Sequence, residues 1–364
     1  MNTNVIPAAK PLIGDEERAA VDRVMRTGVI AQGPEVAAFE REFADHLVEG
    51  RSCVAVSSGT TGLHLGLLAA GIGPGDEVVV PSFTFAATAN SVALTGATPV
   101  FADIDPRTFC LDPAAVESVL TERTAAIMPV HLYGHPADMT ALSALAEQRG
   151  LQLFEDAAQA HGARWHGRRV GTFGTFAMFS LYPTKNMTSG EGGMVSCATP
   201  EVVRSVQLLR NQGMERRYEN EVVGFNARMT DVHAAIGRVQ LSKLDGWTEQ
   251  RAANARFLSE HLENVVVPFV AEGAEHVWHQ YTIRVESGDR DGFAAALLSE
   301  HGVGSGVYYP IPNHELPSFG LTLDLPATRS ACDEVLSLPV HPALTADDLE
   351  RIVSAVNAVA KAGA

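Results

Sequence analysis

Lysine is scarce in this chain, and its scarcity points to a site. Of 27 basic residues only Lys10, Lys185, Lys243 and Lys361 are lysines; the rest are arginines. Lys10 and Lys361 lie in the two tails, and Lys243 lies in a polar helical stretch. Lys185 alone sits in a dense Gly/aromatic/polar segment, Phe179-Ser180-Leu181-Tyr182-Pro183-Thr184-Lys185-Asn186, followed by Gly190-Glu191-Gly192-Gly193. Arginine keeps its proton, whereas a lysine can lose one and form an imine. Four other patches carry complementary chemistry. Ser57-Ser58-Gly59-Thr60-Thr61-Gly62 joins a strand to a helix, where free backbone N–H groups and hydroxyls can seat a phosphate. It lacks the GxxxxGK[ST] spacing of a Walker loop. In Pro81-Ser82-Phe83-Thr84-Phe85, an aromatic at a strand end can stack on a planar ring. In Glu155-Asp156-Ala157-Ala158-Gln159-Ala160-His161-Gly162, Asp156 ends an apolar run, where a carboxylate is costly unless paired, and a protonated ring nitrogen suits it. Gly224-Phe225-Asn226-Ala227-Arg228-Met229 is a polar loop before a helix.

Each patch has a plain structural alternative: an N-cap turn, a core phenylalanine, a helix cap, a surface lysine. Together they supply a phosphate seat, an aromatic plate, a buried carboxylate and an imine-forming amine. Pyridoxal 5′-phosphate requires all four.

The elements that must position these residues follow from periodicity. Short apolar runs at Cys53–Val56, Glu77–Val80, Pro99–Ala102, Ala125–Val130, Leu151–Glu155, Phe176–Ser180 and Gly193–Cys197 read as buried strands. Helical patterns alternate with them. Asp15 is expected to cap a helix that Gly28 ends, Pro34 opens one with Val36, Phe39, Phe43 and Leu47 on one face, and others run from Pro113 to Leu120 and Pro136 to Gly150. Such alternation predicts an α/β fold with a mostly parallel sheet covered by helices and a ligand site at the strands' carboxyl ends. A largely helical stretch from Pro200 to Leu262 is broken by a loop at 213–226. Then Val277–Val285 reads as strand, Asp291–Glu300 as helix, Val303–Tyr309 as strand, and two helices close the chain. The expected division is a large domain over 1–250 and a smaller C-terminal α+β domain over 251–364.

Two features are decoys. His131 and His135 have the i,i+4 spacing of a metal pair, but no carboxylate is seen to complete a set. Gly71, Gly73 and Gly75 lack the third spacing of a dinucleotide fingerprint and read as a turn. A formal charge of −16 argues against a nucleic-acid partner. No apolar run is long enough for a membrane span, no signal pattern opens the chain, and Cys53, Cys110, Cys197 and Cys332 form no CxxC pair. A cytoplasmic protein without metal is expected.

With these residues in view, the sequence resembles the DegT/StrS family of sugar aminotransferases, pyridoxal-phosphate enzymes of fold type I. The matching stretches run from Pro11 to the C-terminus: SSGTTGLHLGLLAAGIGPGDEVVVPSFTF, TPVFADID, EDAAQAHGA, FSLYPTKNMTSGEGG, LRNQG, GFNARM, VWHQYTIRV and YYPIPNH. The resemblance implies that Lys185 holds the cofactor as an imine and shuttles the proton. It implies that Asp156 pairs with the pyridinium nitrogen, that Gln159 faces the ring hydroxyl and that Phe85 stacks on the ring. Gly59, Thr60 and Ser180 would hold the phosphate, and Asn226 would reach the cofactor of a neighbouring subunit in a homodimer. Arg228, Tyr308, Tyr309 and His314 would lie at the substrate. Many relatives read HYP where this chain has Tyr308-Tyr309-Pro310. Relatives with His in place of the lysine are dehydratases, so Lys185 implies transamination. The implied reaction moves an amino group from L-glutamate to a nucleotide-linked keto sugar, with C4 of a 4-keto-6-deoxy sugar as the expected position. The alternatives are an acceptor that is a keto-cyclitol or an aminohydroxybenzoate precursor, and a pyridoxal-phosphate-binding regulator without turnover.

Overall fold

The computed structural model describes residues 5–286 and 288–362; residues 1–4, 287, 363 and 364 of the two expected domains lie outside the described residues. Two helices lead: α1 (Asp15–Thr27) and α2 (Pro34–Leu47). Then come β1 (Cys53–Val56), α3 (Gly59–Ala69), β2 (Glu77–Pro81), α4 (Ala87–Leu94), β3 (Thr98–Ala102), α5 (Pro113–Val119), β4 (Thr124–Ile127), α6 (Met139–Arg149) and β5 (Gln152–Asp156). A short hairpin, β6 (Arg164–Trp165) and β7 (Arg168–Arg169), precedes β8 (Phe176–Ser180), β9 (Gly193–Cys197) and α7 (Pro200–Arg210). A second hairpin, β10 (Met214–Arg216) and β11 (Glu219–Asn220), occupies the loop expected over 213–226 and leads to α8 (Asp231–His261). The last part holds β12 (Ala274–Glu275), β13 (Tyr281–Arg284), α9 (Arg290–His301), α10 (Pro326–Glu334), β14 (Val335–Leu338) and α11 (Ala346–Ala362).

Seven strands form the central sheet in the order β1-β9-β8-β5-β4-β2-β3. β9 is antiparallel to both neighbours and the rest run one way, so the sheet is mostly parallel, as the alternation of signals predicts. Side chains alternate between its faces. Phe176 and Met178 of β8 enter the core shared with α3 and α7, while Ala177 and Phe179 enter the core shared with α2 and α8. The apolar face of α2 is buried as expected, and Asp231 closes its amino end by accepting from the N–H groups of Gly33, Glu35 and Val36. At α1 the expected cap differs. Gly14 is the N-cap, its N–H bound by Glu17 Oε2 at 2.8 Å, and Asp15 is already helical and paired with Arg18. Gly28 ends that helix in the left-handed conformation (φ 76°) that glycine adopts freely.

A separate apolar cluster unites β13, β14, α9 and α11 with Ala255 and Leu258 of α8, and Ile6 joins it. Position 250/251 therefore falls inside the continuous helix α8, whose two halves serve different cores, and the amino-terminal segment returns to the smaller one. The strand expected over Val303–Tyr309 does not form. The segment makes only single bridges, Val303 to Ile6 and Gly306 to Ser337, and the Tyr308 ring lies where a Gly306 side chain would stand. The expected strand over Val277–Val285 shortens to β13 because the backbone N–H groups of Val277 and Gln280 bond instead to Gly134 and Tyr133. Among the described residues no helix is long and apolar enough to cross a membrane.

Candidate active site

A cavity of about 500 Å³ opens at the carboxyl ends of β1, β2, β5 and β8. Each strand delivers one group to it. β1 leads through Ser57 to Ser58, which caps α3 by accepting from Thr61 N at 3.2 Å. That leaves the N–H groups of Gly59 and Thr60 without a protein acceptor among the described residues, at the positive end of a helix lining the cavity. Close approach makes this seat possible. A Cβ on Gly193 would stand 2.6 Å from Ser58 O and 3.0 Å from Gly59 N, and one on Gly59 would stand 3.3 Å from Ser180 Oγ.

β5 ends in Asp156, which is 4% exposed. Its carboxylate accepts from Thr88 Oγ1 at 2.8 Å and Ala158 N at 3.1 Å, and from no cation among the described residues. Burial raises its pKa, opposed by those hydrogen bonds and by the charge of Lys185. β8 leads to Ser180 and, five residues on, to Lys185, whose amine makes no ion pair among the described residues. Burial lowers its pKa to about 8, opposed by Asp156. Gln159 is oriented by its neighbours: Oε1 accepts from Tyr133 N at 2.6 Å and Nε2 donates to Tyr309 Oη at 3.1 Å, so one amide hydrogen remains for a ligand. Phe85 stands 59% exposed at the cavity wall, tilted 41° to Tyr309 at 6.1 Å. A phosphate seat, an unpaired buried carboxylate, an amine poised near neutrality and an open aromatic face fit pyridoxal phosphate.

Gly59, Thr60, Phe85, Asp156, Gln159, Ser180, Lys185, Tyr308 and Tyr309 thus come together around one cavity. Three expected residues do not. Asn226 is exposed on the loop after β11, where it pairs with Asn211. Arg228 bridges Val56 and donates to Asn211 Oδ1 at 2.7 Å. His314 is enclosed behind the wall, with Nδ1 2.7 Å from Ser82 Oγ and its ring against Phe101.

Several lining residues escaped the sequence. His279 reaches the cavity because the chain bends before β13. Its Nδ1 lies 3.1 Å from Asn186 Oδ1, and the Asn186 amide donates to Val277 O at 2.9 Å, which fixes the proton on Nδ1. Gln280 also lines it, as do Thr84 and Glu191 from the patches singled out above, which had no individual role assigned there. The VWHQYTIRV stretch was the available signal for His279 and Gln280. For His131 a correction is needed: a carboxylate does reach it, Glu155 Oε2 at 3.2 Å. The imidazole Nδ1 accepts from Ala137 N, so Nε2 donates to Glu155, and no group of three or more metal-binding side chains exists among the described residues. All four cysteines are free and buried.

Fold and site together define an aminotransferase of the pyridoxal-phosphate class. The model of the DegT/DnrJ/EryC1/StrS aminotransferase family matches residues 11–357, and the chain belongs to that family. It is 41% identical to dTDP-3-amino-3,4,6-trideoxy-alpha-D-glucose transaminase of Streptomyces venezuelae, over 96% of this chain and 94% of that one. It is 42% identical to a pleiotropic regulatory protein of Geobacillus stearothermophilus, over 92% of each chain. The crystal structure of S. venezuelae DesV in complex with a ketimine intermediate superposes with a TM-score of 0.92 at 40% identity, covering 98% of this chain and 99% of that one.

Proposed function

We propose that this enzyme moves an amino group from L-glutamate to the keto group of a nucleotide-linked sugar, with a 4-keto-6-deoxy sugar as the expected acceptor. Pyridoxal phosphate supplies the electron sink that makes a bond at the donor's α-carbon breakable. The observation that carries the reading is that buried Lys185 and Asp156 line one cavity and neither makes an ion pair among the described residues.

The chain's own residues divide the remaining work. The N–H groups of Gly59 and Thr60, with Ser180, bind the phosphate and fix the ring's position. Asp156 holds a proton on the ring nitrogen, which a buried carboxylate favours because the pair is then neutral. Gln159 offers its free amide hydrogen to the ring oxygen, and Phe85 covers one ring face. Lys185 would take a proton from the donor's α-carbon and deliver it to the cofactor carbon that comes to carry the amine; an amine with a pKa near 8 can hold and release that proton at working pH. Tyr308 and Tyr309 wall the side where the sugar enters. Asn226, on an exposed loop with Phe225 40% and Val223 92% exposed, is read as reaching a second subunit, and Arg228 as lying at the substrate.

The test is the absorbance of the cofactor-loaded protein before and after L-glutamate, then after a panel of UDP-, TDP- and GDP-linked keto sugars. Glutamate bleaching the Lys185-linked band, and one keto sugar restoring it, is the expected result. Restoration by a keto-cyclitol or an aminohydroxybenzoate precursor instead would move the acceptor. A band that glutamate leaves unchanged would favour a regulator without turnover.

A further inference from the structure

Behind Asp156 lies a hydroxyl pair that the roles above leave unused. Thr88, at the start of α4, is wholly buried. Its Oγ1 donates to Asp156 Oδ2 at 2.8 Å, and Ala158 N donates to Oδ1 at 3.1 Å, so each carboxylate oxygen has one protein donor and lone pairs left over. Because Thr88 has spent its single proton on Asp156, the contact of 3.3 Å between Thr84 Oγ1 and Thr88 Oγ1 has Thr84 as donor. The result is a directed relay, Thr84 to Thr88 to Asp156, in which each hydroxyl polarises the next. The same turn is anchored at its back: Asn313 N donates to Ser82 O at 2.9 Å and Asn313 Nδ2 to Thr84 O at 3.0 Å. The relay is therefore held by the segment that carries Tyr308 and Tyr309.

We propose that Thr88 is a positioning residue: fed by Thr84, it holds the Asp156 carboxylate ionised and turned toward the cofactor's ring nitrogen. The inference rests on the reading of Asp156 given above. Its chemistry is electrostatic. A carboxylate stripped of a donor binds the ring proton more tightly, the ring then carries less positive charge, and the nitrogen of Lys185 bound to the cofactor becomes harder to deprotonate.

The experiment is a pH titration of the Lys185-linked cofactor band, without substrate, in the wild type, Thr88→Val and Thr88→Ser. In Thr88→Val the midpoint is expected to move up by about half a unit to one unit. Thr88→Ser, which keeps the hydroxyl, is expected to titrate like the wild type. A side chain that only fills space would leave the Thr88→Val midpoint in place, and that result overturns the proposal. If the valine variant does not fold, Thr88→Ala removes the hydroxyl without a second methyl and is read in the same way. A wild type that takes up no cofactor would sink the reading of Asp156 itself, whereas a normal wild-type titration with an unmoved Thr88→Val midpoint would sink only the role of Thr88.

Discussion

At the residue scale, Asp156 and Lys185 are charged groups placed where charge is expensive, as binding sites require. Burial raises the pKa of Asp156 above 3.8, so between 3.8 and its folded value the folded state keeps a proton that the unfolded state has lost. Stability of the cofactor-free protein falls as pH rises through that window, and at neutral pH the ionised carboxylate remains a burden. Asp156→Asn removes it, and Thr88 can then reverse and donate to Thr84. The cofactor-free variant is expected to be more stable than wild type by about 1 kcal/mol at pH 7, by denaturant unfolding, while glutamate half-reaction rates fall about a hundredfold or more. Lys185 shows the opposite sign of shift, lowered from 10.5 to about 8 by burial. Below about pH 8 the amine is charged in both states and its desolvation cost is fully present. Between 8 and 10.5 only the unfolded chain binds the proton, so stability gains as pH rises. The difference between the unfolding midpoints of wild type and Lys185→Met, both free of cofactor, is expected to change in the wild type's favour across that range. A flat difference would mean that the amine is not desolvated. The lysine census and its dense motif singled out Lys185, and the cavity does hold it. His279 was not singled out, because its arrival depends on where β13 begins.

At the element scale, one residue of strand separates two carboxylates with different tasks. Successive side chains of β5 point to opposite faces, so Glu155 turns away from the cavity that Asp156 lines. Glu155 is fully buried and saturated: Oε1 accepts from Phe173 N and Gly174 N, and Oε2 from Gly171 N and His131 Nε2. It nails the turn before β8 to β5 and thereby sets where Ser180 and Lys185 emerge. Glu155→Gln replaces one of the acceptors facing those donors with an NH2 group. It is expected to lower stability by about 3 kcal/mol in denaturant unfolding, with the cofactor band still present in the folded protein. A loss below about 0.5 kcal/mol would show that the turn is held by other contacts. The sequence could not tell these neighbours apart, since an acid at a strand end reads the same either way. It did reveal the strands themselves: β1, β8 and β9 lie at the expected residues because each is a short, mostly apolar run that is buried throughout. Val303–Tyr309 misled for the converse reason. Val303, Val307, Tyr308 and Tyr309 have strand propensity, but Gly304 and Gly306 interrupt them, and pairing partners meet the segment only at Val303 and Gly306.

At the scale of the whole molecule, the question is what completes the site. The cavity in one chain holds the lysine, the carboxylate and the phosphate seat, yet Asn226 sits on an outer loop whose neighbours Tyr218, Val222 and Val223 are 78%, 46% and 92% exposed. The exposed apolar side chains on this otherwise charged loop are accounted for if a second copy covers them. If that copy forms the dimer proposed above, with Asn226 of one subunit reaching the site that holds Lys185 of the other, a mixing experiment tests the arrangement. Lys185→Ala removes the proton carrier, and activity is expected to drop about a thousandfold. In that arrangement Asn226→Asp would set a carboxylate against the cofactor phosphate and is expected to be nearly as inactive. In a mixed dimer, one site carries both defects and the other carries neither. Equal mixing with free exchange gives half mixed dimers, each with one intact site, so activity should return to about a quarter of wild type. If the loop served only its own subunit, every site in every mixture would hold one defect, and no activity would return.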